Sequence, residues 1–260
     1  MAVTAPSITQ NGTQEPFDLQ VGRDQISWHK KIFQFGLNLT VGTTFETIWT
    51  GSSVYAYLAA ATVLKISSGS ANDTAAGTGA RTITISGLDA DYNQISETVS
   101  LNGQTAVNTV NSYLRVFDMN VATAGSGGTA AGIIYAGTGA VTSGVPAVVY
   151  GQIDLTYNTS AMALFTVPAG YTAYITSYTF TSASAAASIV TGGMFIRPLG
   201  GVFNLEASAK LAGGNSFDRH FDIPLMVAEK SDIEMQAAAT TTAQVTGEMH
   251  IIYIKNDAAT

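Results

Sequence analysis

With 260 residues, 11% charged side chains, no cysteine and a net charge of −7, the chain can bury a sizeable core without disulfides or Cys-ligated zinc. The acidic balance excludes a phosphate-backbone binder, which needs clustered Lys and Arg, and no apolar run is long enough for a membrane-spanning helix. Charge well under the roughly 25% of an average globular protein leaves Ser, Thr, Asn, Gln and Gly, or other subunits, to cover the exterior.

Residues 1–22 are polar, with scattered Pro and Gly and neither periodicity, and read as an extended arm that orders only when docked. They lack the basic and apolar regions of a signal peptide. Gln25–Phe35 (QISWHKKIFQF) mixes aromatics with the one basic cluster. Two readings are open for it: a solvated β edge guarded by lysines, or a contact surface for an acidic partner. A strand is expected over Thr43–Trp49, then an irregular stretch and a strand through Ser67, and Ser67–Gly79 has the composition of a loop.

Ala80–Gln104 reads as a hairpin, with Thr82, Thr84 and Ser86 alternating with Ile83 and Ile85, and Ile95 and Val99 after the break. Asn102-Gly103 then fits a tight type I′ turn into a third strand. Tyr113–Ala122 alternates like a strand, and Gly125–Gly132 is a loop without the Gly-Lys-Ser/Thr ending that cradles phosphate. Glycines from Gly137 to Gly144, followed by Pro146, read as punctuation, with a boundary near 147/148. Beyond it strands are expected over 161–167, 171–181, 189–197, 202–210, 214–223, 231–237 and 244–255, the last central because HIIYI is nearly all apolar. The expected fold is therefore all-β: an arm over 1–22, a first antiparallel β-sandwich domain over 23–147, and a second, jelly-roll-like one over 148–256.

Two constellations could carry chemistry. Asp89, Asp91 and Asn93 begin like a calcium loop, but Gln94 stands where the sharp-turn glycine belongs and Ser100 where the closing Glu belongs. They are better read as bonding their own backbone to shape the turn, leaving them weak metal candidates. Asp218, His220 and Asp222 would share one face of a strand whose other face offers Phe217, Phe221 and Ile223 to a core, so the triplet is expected to face outward. His29 and His250 are expected to be ordinary strand histidines. No nucleophile elbow, HExxH or dinucleotide fingerprint occurs, so neither an enzymatic activity nor a cofactor is expected.

The run TAAGTGARTITISGLDADYNQISETVSLNGQTAV, with NSYLRV, VATAGSGGT, TVPAGYTAYITSY and EKSDIEMQA, resembles virion structural proteins of tailed bacteriophages, of the marine and cyanobacterial podophage type, over residues 20–255. The resemblance implies no catalytic residues. It implies a capsid decoration (cement) protein, forming an oligomer taken as a trimer and partnered by the major capsid protein or another virion protein. The alternative is a tail or head appendage that contacts host glycans. Localisation would be the virion, assembled in the host cytoplasm, with no nucleic-acid or membrane partner. The docking element is then expected in the arm and in Trp28, His29, Lys30, Lys31, Phe33 and Phe35.

Overall fold

The computed structural model describes residues 9–10, 13–183 and 188–256. Two short strands, β1 (Thr9–Gln10) and β2 (Thr13–Gln14), pair with each other, and α1 (Phe17–Gly22) follows. Next come β3 (His29–Val41), β4 (Glu46–Thr47), β5 (Thr62–Ser68), β6 (Ala80–Leu88), β7 (Gln94–Ser100), β8 (Val107–Tyr113), β9 (Arg115–Ala124), β10 (Ile134–Thr142) and β11 (Val145–Ile153). The last stretch holds β12 (Leu164–Thr166), β13 (Tyr171–Ser182), β14 (Ile189–Arg197), β15 (Asn204–Ala212), β16 (Ser216–Val227), β17 (Asp232–Ala239) and β18 (Ala243–Lys255). Every strand pairing among the described residues is antiparallel. The fold is all-β.

Alternation dictates the layers. Sheet β7-β6-β9 contributes Ile83, Ile85, Val99 and Met119, and sheet β11-β10-β5-β8 contributes Leu64, Ile66, Tyr113 and Ile134, to one shared apolar cluster. Sheet β16-β13-β18-β3 shares a second cluster with sheet β12-β17-β14-β15, on which β4 adds to β17; Ile175, Phe180, Met249 and Ile251 meet Phe165, Met194 and Met235 there. Each such side chain, removed from water, contributes about 1.5–3 kcal/mol. Phe117 of β9 and Leu88 of β6 belong to the second cluster although their strands lie in the first pair of sheets. Successive residues of β9 therefore serve two cores: Val116 and Met119 point into one and Phe117 into the other.

Four expectations are corrected. Pairing does not follow a division of the chain at 147/148, because β3 pairs along β18 while β11 pairs with β10. Gly36 of β3 also lies so close to the Ile48 carbonyl and the Ala163 nitrogen that a Cβ would collide with both. Second, the strand after Asn102-Gly103 does not continue a meander; β8 pairs with β5 in the facing sheet. The Gly103 N–H donates to the Asp73 carbonyl (2.7 Å), its carbonyl accepts from Ser68 N (2.9 Å), and Gly103 takes the left-handed φ (62°) without Asn102. These side bonds divert the chain.

Third, the Gly137–Gly144 stretch is strand rather than punctuation until Ser143 and Gly144, whose φ values of 50° and 82° form the type I′ turn of the β10–β11 hairpin. Bulges at Gly137 and beyond Thr138 accommodate the glycines, and Pro146 is tolerated because β11 is an edge strand. Fourth, the end of the expected extended arm is helical. Pro16 presets its φ at −54° and its carbonyl accepts from the N–H groups of Leu19 and Gln20 (both 3.1 Å), while Val21 is fully buried. Residues 1–8 and 11–12 of the arm and residues 184–187 of the Ser182–Ser188 loop lie outside the described residues.

The segment after β5, through Gly79, is irregular, as its composition requires, but it is pinned. The carboxylate of buried Asp73 accepts from the N–H groups of Ala80 (2.7 Å), Ala131 (2.9 Å) and Gly132 (2.9 Å) and from the Ser68 hydroxyl (2.5 Å). It thereby ties this loop to the glycine-rich loop that precedes β10.

Candidate interaction surface

The sheet β16-β13-β18-β3 turns one face to the core and the other outward. Register fixes the outer rows. Phe33 lies opposite His250, His250 opposite Ser177, and Ser177 opposite His220, so one row crosses all four strands. The next row on one side runs Lys31, Ile252, Tyr174, Met226, and on the other Phe35, Glu248, Thr179, Asp218. The Phe33 ring is 52% exposed and packs on His250 with centroids 4.9 Å apart. Helix α1 overhangs part of this face. Between them runs a groove of about 440 Å3 lined by Asp18, Lys31, Phe33, His220 and His250; a second cleft, lined by Phe33, Phe35, Asp118 and Ser160, opens beyond the edge of β3.

The six residues expected as a docking element are split by the strand's period. His29, Lys31, Phe33 and Phe35 share the outer face. Trp28 and Lys30 turn to the opposite side at the end of the sheet, where Lys30 Nζ donates to Gln94 Oε1 (3.4 Å) and lies 5.7 Å from the Tyr171 ring centroid. Trp28 has a left-handed φ of 71°, costly for a bulky residue. That conformation swings its indole outward, half exposed beneath Lys255 Nζ, 5.1 Å from the ring centroid. His29 meets the edge of Phe17, and its Nδ1 faces the Ser27 carbonyl at 2.9 Å. Among the described residues neither Lys30 nor Lys31 forms an ion pair. β3 is an edge strand, as the solvated-edge reading expects, but it runs to Val41 rather than stopping at Phe35.

The other sequence candidates resolve into local chemistry. Asp89 Oδ1 accepts from the backbone N–H of Asp91 (2.9 Å) and Asn93 (2.8 Å), and Asn93 Nδ2 donates to Asp89 Oδ2 (3.2 Å), a turn closed on itself. Asp218 accepts from the Thr179 hydroxyl (2.8 Å), and Asp218, His220 and Asp222 are all exposed. Phe217 and Phe221 pack on the core as expected, but Ile223, expected beside them, is exposed because β16 bulges between His220 and Leu225. Among the described residues no group of three His, Cys, Asp or Glu is arranged to hold a metal ion.

A second constellation escaped the sequence reading. Arg115 of β9 donates through Nε and Nη2 to both oxygens of Asp232 of β17 (2.8 and 3.2 Å), and Arg197 of β14 donates to Asp232 Oδ2 through Nε and Nη2 (2.9 and 2.6 Å). The Thr166 hydroxyl donates to Asp232 Oδ1 at 2.6 Å. Two residues along, buried Glu234 accepts from Thr47 (2.5 Å), Tyr57 (2.9 Å) and Gln236 (2.9 Å). Burial holds the Glu234 carboxyl above the usual carboxylate range, only partly opposed by those three donors. Burial likewise raises the Tyr57 phenol, with the Glu234 charge adding to it. Burial pulls the Arg115 guanidinium down, but its bonds to Asp232 more than offset that and raise it. The available signal was DIEMQ, which sets Asp232 and Glu234 on one face of a strand whose other face is apolar; their cationic partners, far off in sequence, were invisible.

No family model and no curated protein matches the chain. Among solved structures it is similar to one of infectious bursal disease virus, Gt strain (11% identity, TM-score 0.22, covering 99% of this chain and 77% of that one). Others are the Gx strain of that virus (9%, 0.24, 96% and 79%) and the crystal structure of its VP2 subviral particle (10%, 0.23, 90% and 74%). TM-scores this low establish neither a shared fold nor a function.

Proposed function

We propose that this chain is a non-enzymatic virion structural component, a capsid decoration or cement protein that binds and stabilises a shell as an oligomer. The observation that carries the reading is the outer face of the β16-β13-β18-β3 sheet. Phe33, Met226 and Ile223 lie 52%, 66% and 86% exposed on or beside it, and among the described residues both its edge strands, β3 and β16, lack a further partner. Soluble monomers cover or charge such edges; a particle component can leave them to its neighbours. In this reading Lys31 and Phe33 on the outer face, with Trp28 and Lys30 at the sheet's end, meet an acidic shell surface, and the two apolar clusters are the cores of two sandwich units.

The test is co-sedimentation of the full chain with shells assembled without it, comparing the native sequence with the double variant Lys31→Glu, Phe33→Ala. Saturable binding by the native chain and its loss in the variant are expected. Equal binding by both would remove this face from the interface. Electron microscopy of labelled particles with the chain on the tail would replace decoration with the appendage reading.

A further inference from the structure

The cleft above the Arg115–Asp232–Arg197 junction has a use that holding the fold together leaves unexplained. Its volume is about 410 Å3, and it lies between the segment Tyr57–Ala59, Tyr92 and the turn Pro198–Gly201. Three of the chain's eleven Lys and Arg residues converge on it: Arg115, Arg197 and Lys230. Two carboxylates oppose them, Asp232 at the floor and Glu234 behind Tyr57. Three positive charges against two negative leave an excess of one, even with Glu234 ionised.

The excess charge is held in place. Arg197 packs against two adjoining rings, its guanidinium carbon 4.3 Å from the Tyr57 centroid and 4.5 Å from that of Phe203. Asp232 takes its Nε and Nη2, whereas Nη1 donates to no described residue. Its side chain is 26% exposed, against 8% for Arg115. Lys230 adopts a left-handed φ of 61°, a conformation Lys rarely takes, and projects its Nζ to 5.7 Å from the Tyr92 ring centroid with no carboxylate within ion-pair distance among the described residues. A guanidinium fixed by Asp232 and ring packing, with a free edge, beside a strained and unpaired lysine, is a preorganised receptor for an oxyanion.

We propose that this cleft is a binding site for a carboxylate group carried on an apolar or aromatic scaffold. The net positive excess favours an anion. The planar free edge of Arg197 matches carboxylate geometry, with Lys230 as the second donor. The rim supplies the apolar contact: Leu199 is 60% exposed, and Leu58 and Ala59 stand opposite. The site does not depend on the virion reading, since a shell protein, an appendage or a free subunit could each carry it.

The test is calorimetric titration of the full chain with benzoate, benzamide, glucuronate and inorganic phosphate at fixed ionic strength. Benzoate is expected to bind and benzamide not. Lys230→Asn, which tolerates the left-handed backbone while removing the charge, should weaken benzoate about fivefold or more. Lys210→Asn, on exposed β15, should leave it unchanged and so control for general charge effects. Binding of phosphate in place of benzoate, equal binding of benzamide, or an affinity indifferent to Lys230→Asn would overturn the site. Glucuronate binding as tightly as benzoate would overturn the apolar carrier.

Discussion

The Asp232 junction and the outer face of the β3 sheet solve opposite problems with the same few charges. At the junction, guanidinium, carboxylate and phenol are buried together, and each of the two arginines is held by hydrogen bonds from its own strand to the same carboxylate. On the outer face, Lys31 and large apolar groups stand in water with no ion pair among the described residues. Two of the three ion pairs among those residues meet at Asp232. In a chain with 11% charged residues, those pairs lock β9, β14 and β17 together.

Removing Asp232 should break this contrast most severely. Asp232→Ala leaves the buried Arg115 guanidinium without its carboxylate, and uncompensated buried charge of that kind costs about 3–5 kcal/mol. Urea unfolding of the purified chain measures it. A cost near that of an exposed pair, under about 1 kcal/mol, would mean that solvent already reaches the junction and that burial does not distinguish the two regions.

The two regions also differ in how far they could be read from the sequence. The face of β3 was legible because its information is local: alternation in HKKIFQF announces an edge strand, and the lysines mark it. Even so, period two split Trp28 and Lys30 from Lys31 and Phe33, a consequence available from the pattern. The hairpin β6–β7, the long strands of the second half and the central position of β18 were legible for the same reason. What failed was non-local. Nothing near His29–Val41 says that its partner is Ala243–Lys255, and Arg115 and Asp232 are 117 positions apart. The tightest turn was sought at Asn102-Gly103 on dipeptide preference, yet it falls at Ser143-Gly144, because hydrogen bonds to the Asp73 loop override local turn propensity at the first site.

A smaller effect sharpens the junction's electrostatics. Because burial raises the Glu234 carboxyl in the folded chain, folding is favoured when this group carries its proton. That contribution is full below the ordinary carboxylate pKa and is lost as pH rises through the raised folded value. Glu234→Gln keeps an acceptor for Thr47 and Gln236, and its amide can donate to the Tyr57 oxygen, so it mimics the protonated form. The difference in unfolding free energy between variant and native chain should therefore shift in the variant's favour as pH rises through that window. A difference that stays flat with pH, measured by urea titration at several pH values, would show that Glu234 titrates as it does when unfolded.

The least effect on stability, and the largest on assembly, is expected at Phe33. Its ring is half exposed and rests only on His250 among described rings. Phe33→Ala should thus cost less than about 1 kcal/mol in urea unfolding, as substitutions on exposed surface do. The same change removes the apolar ridge between the two clefts that flank β3. If that ridge is an anchor, sedimentation velocity of the variant should show self-association or shell binding lost while the fold persists, the reverse of the pattern at Asp232. A cost of several kcal/mol from Phe33→Ala would make the outer face part of the structural core, and the contrast between a locked junction and an open face would fail at its exposed end.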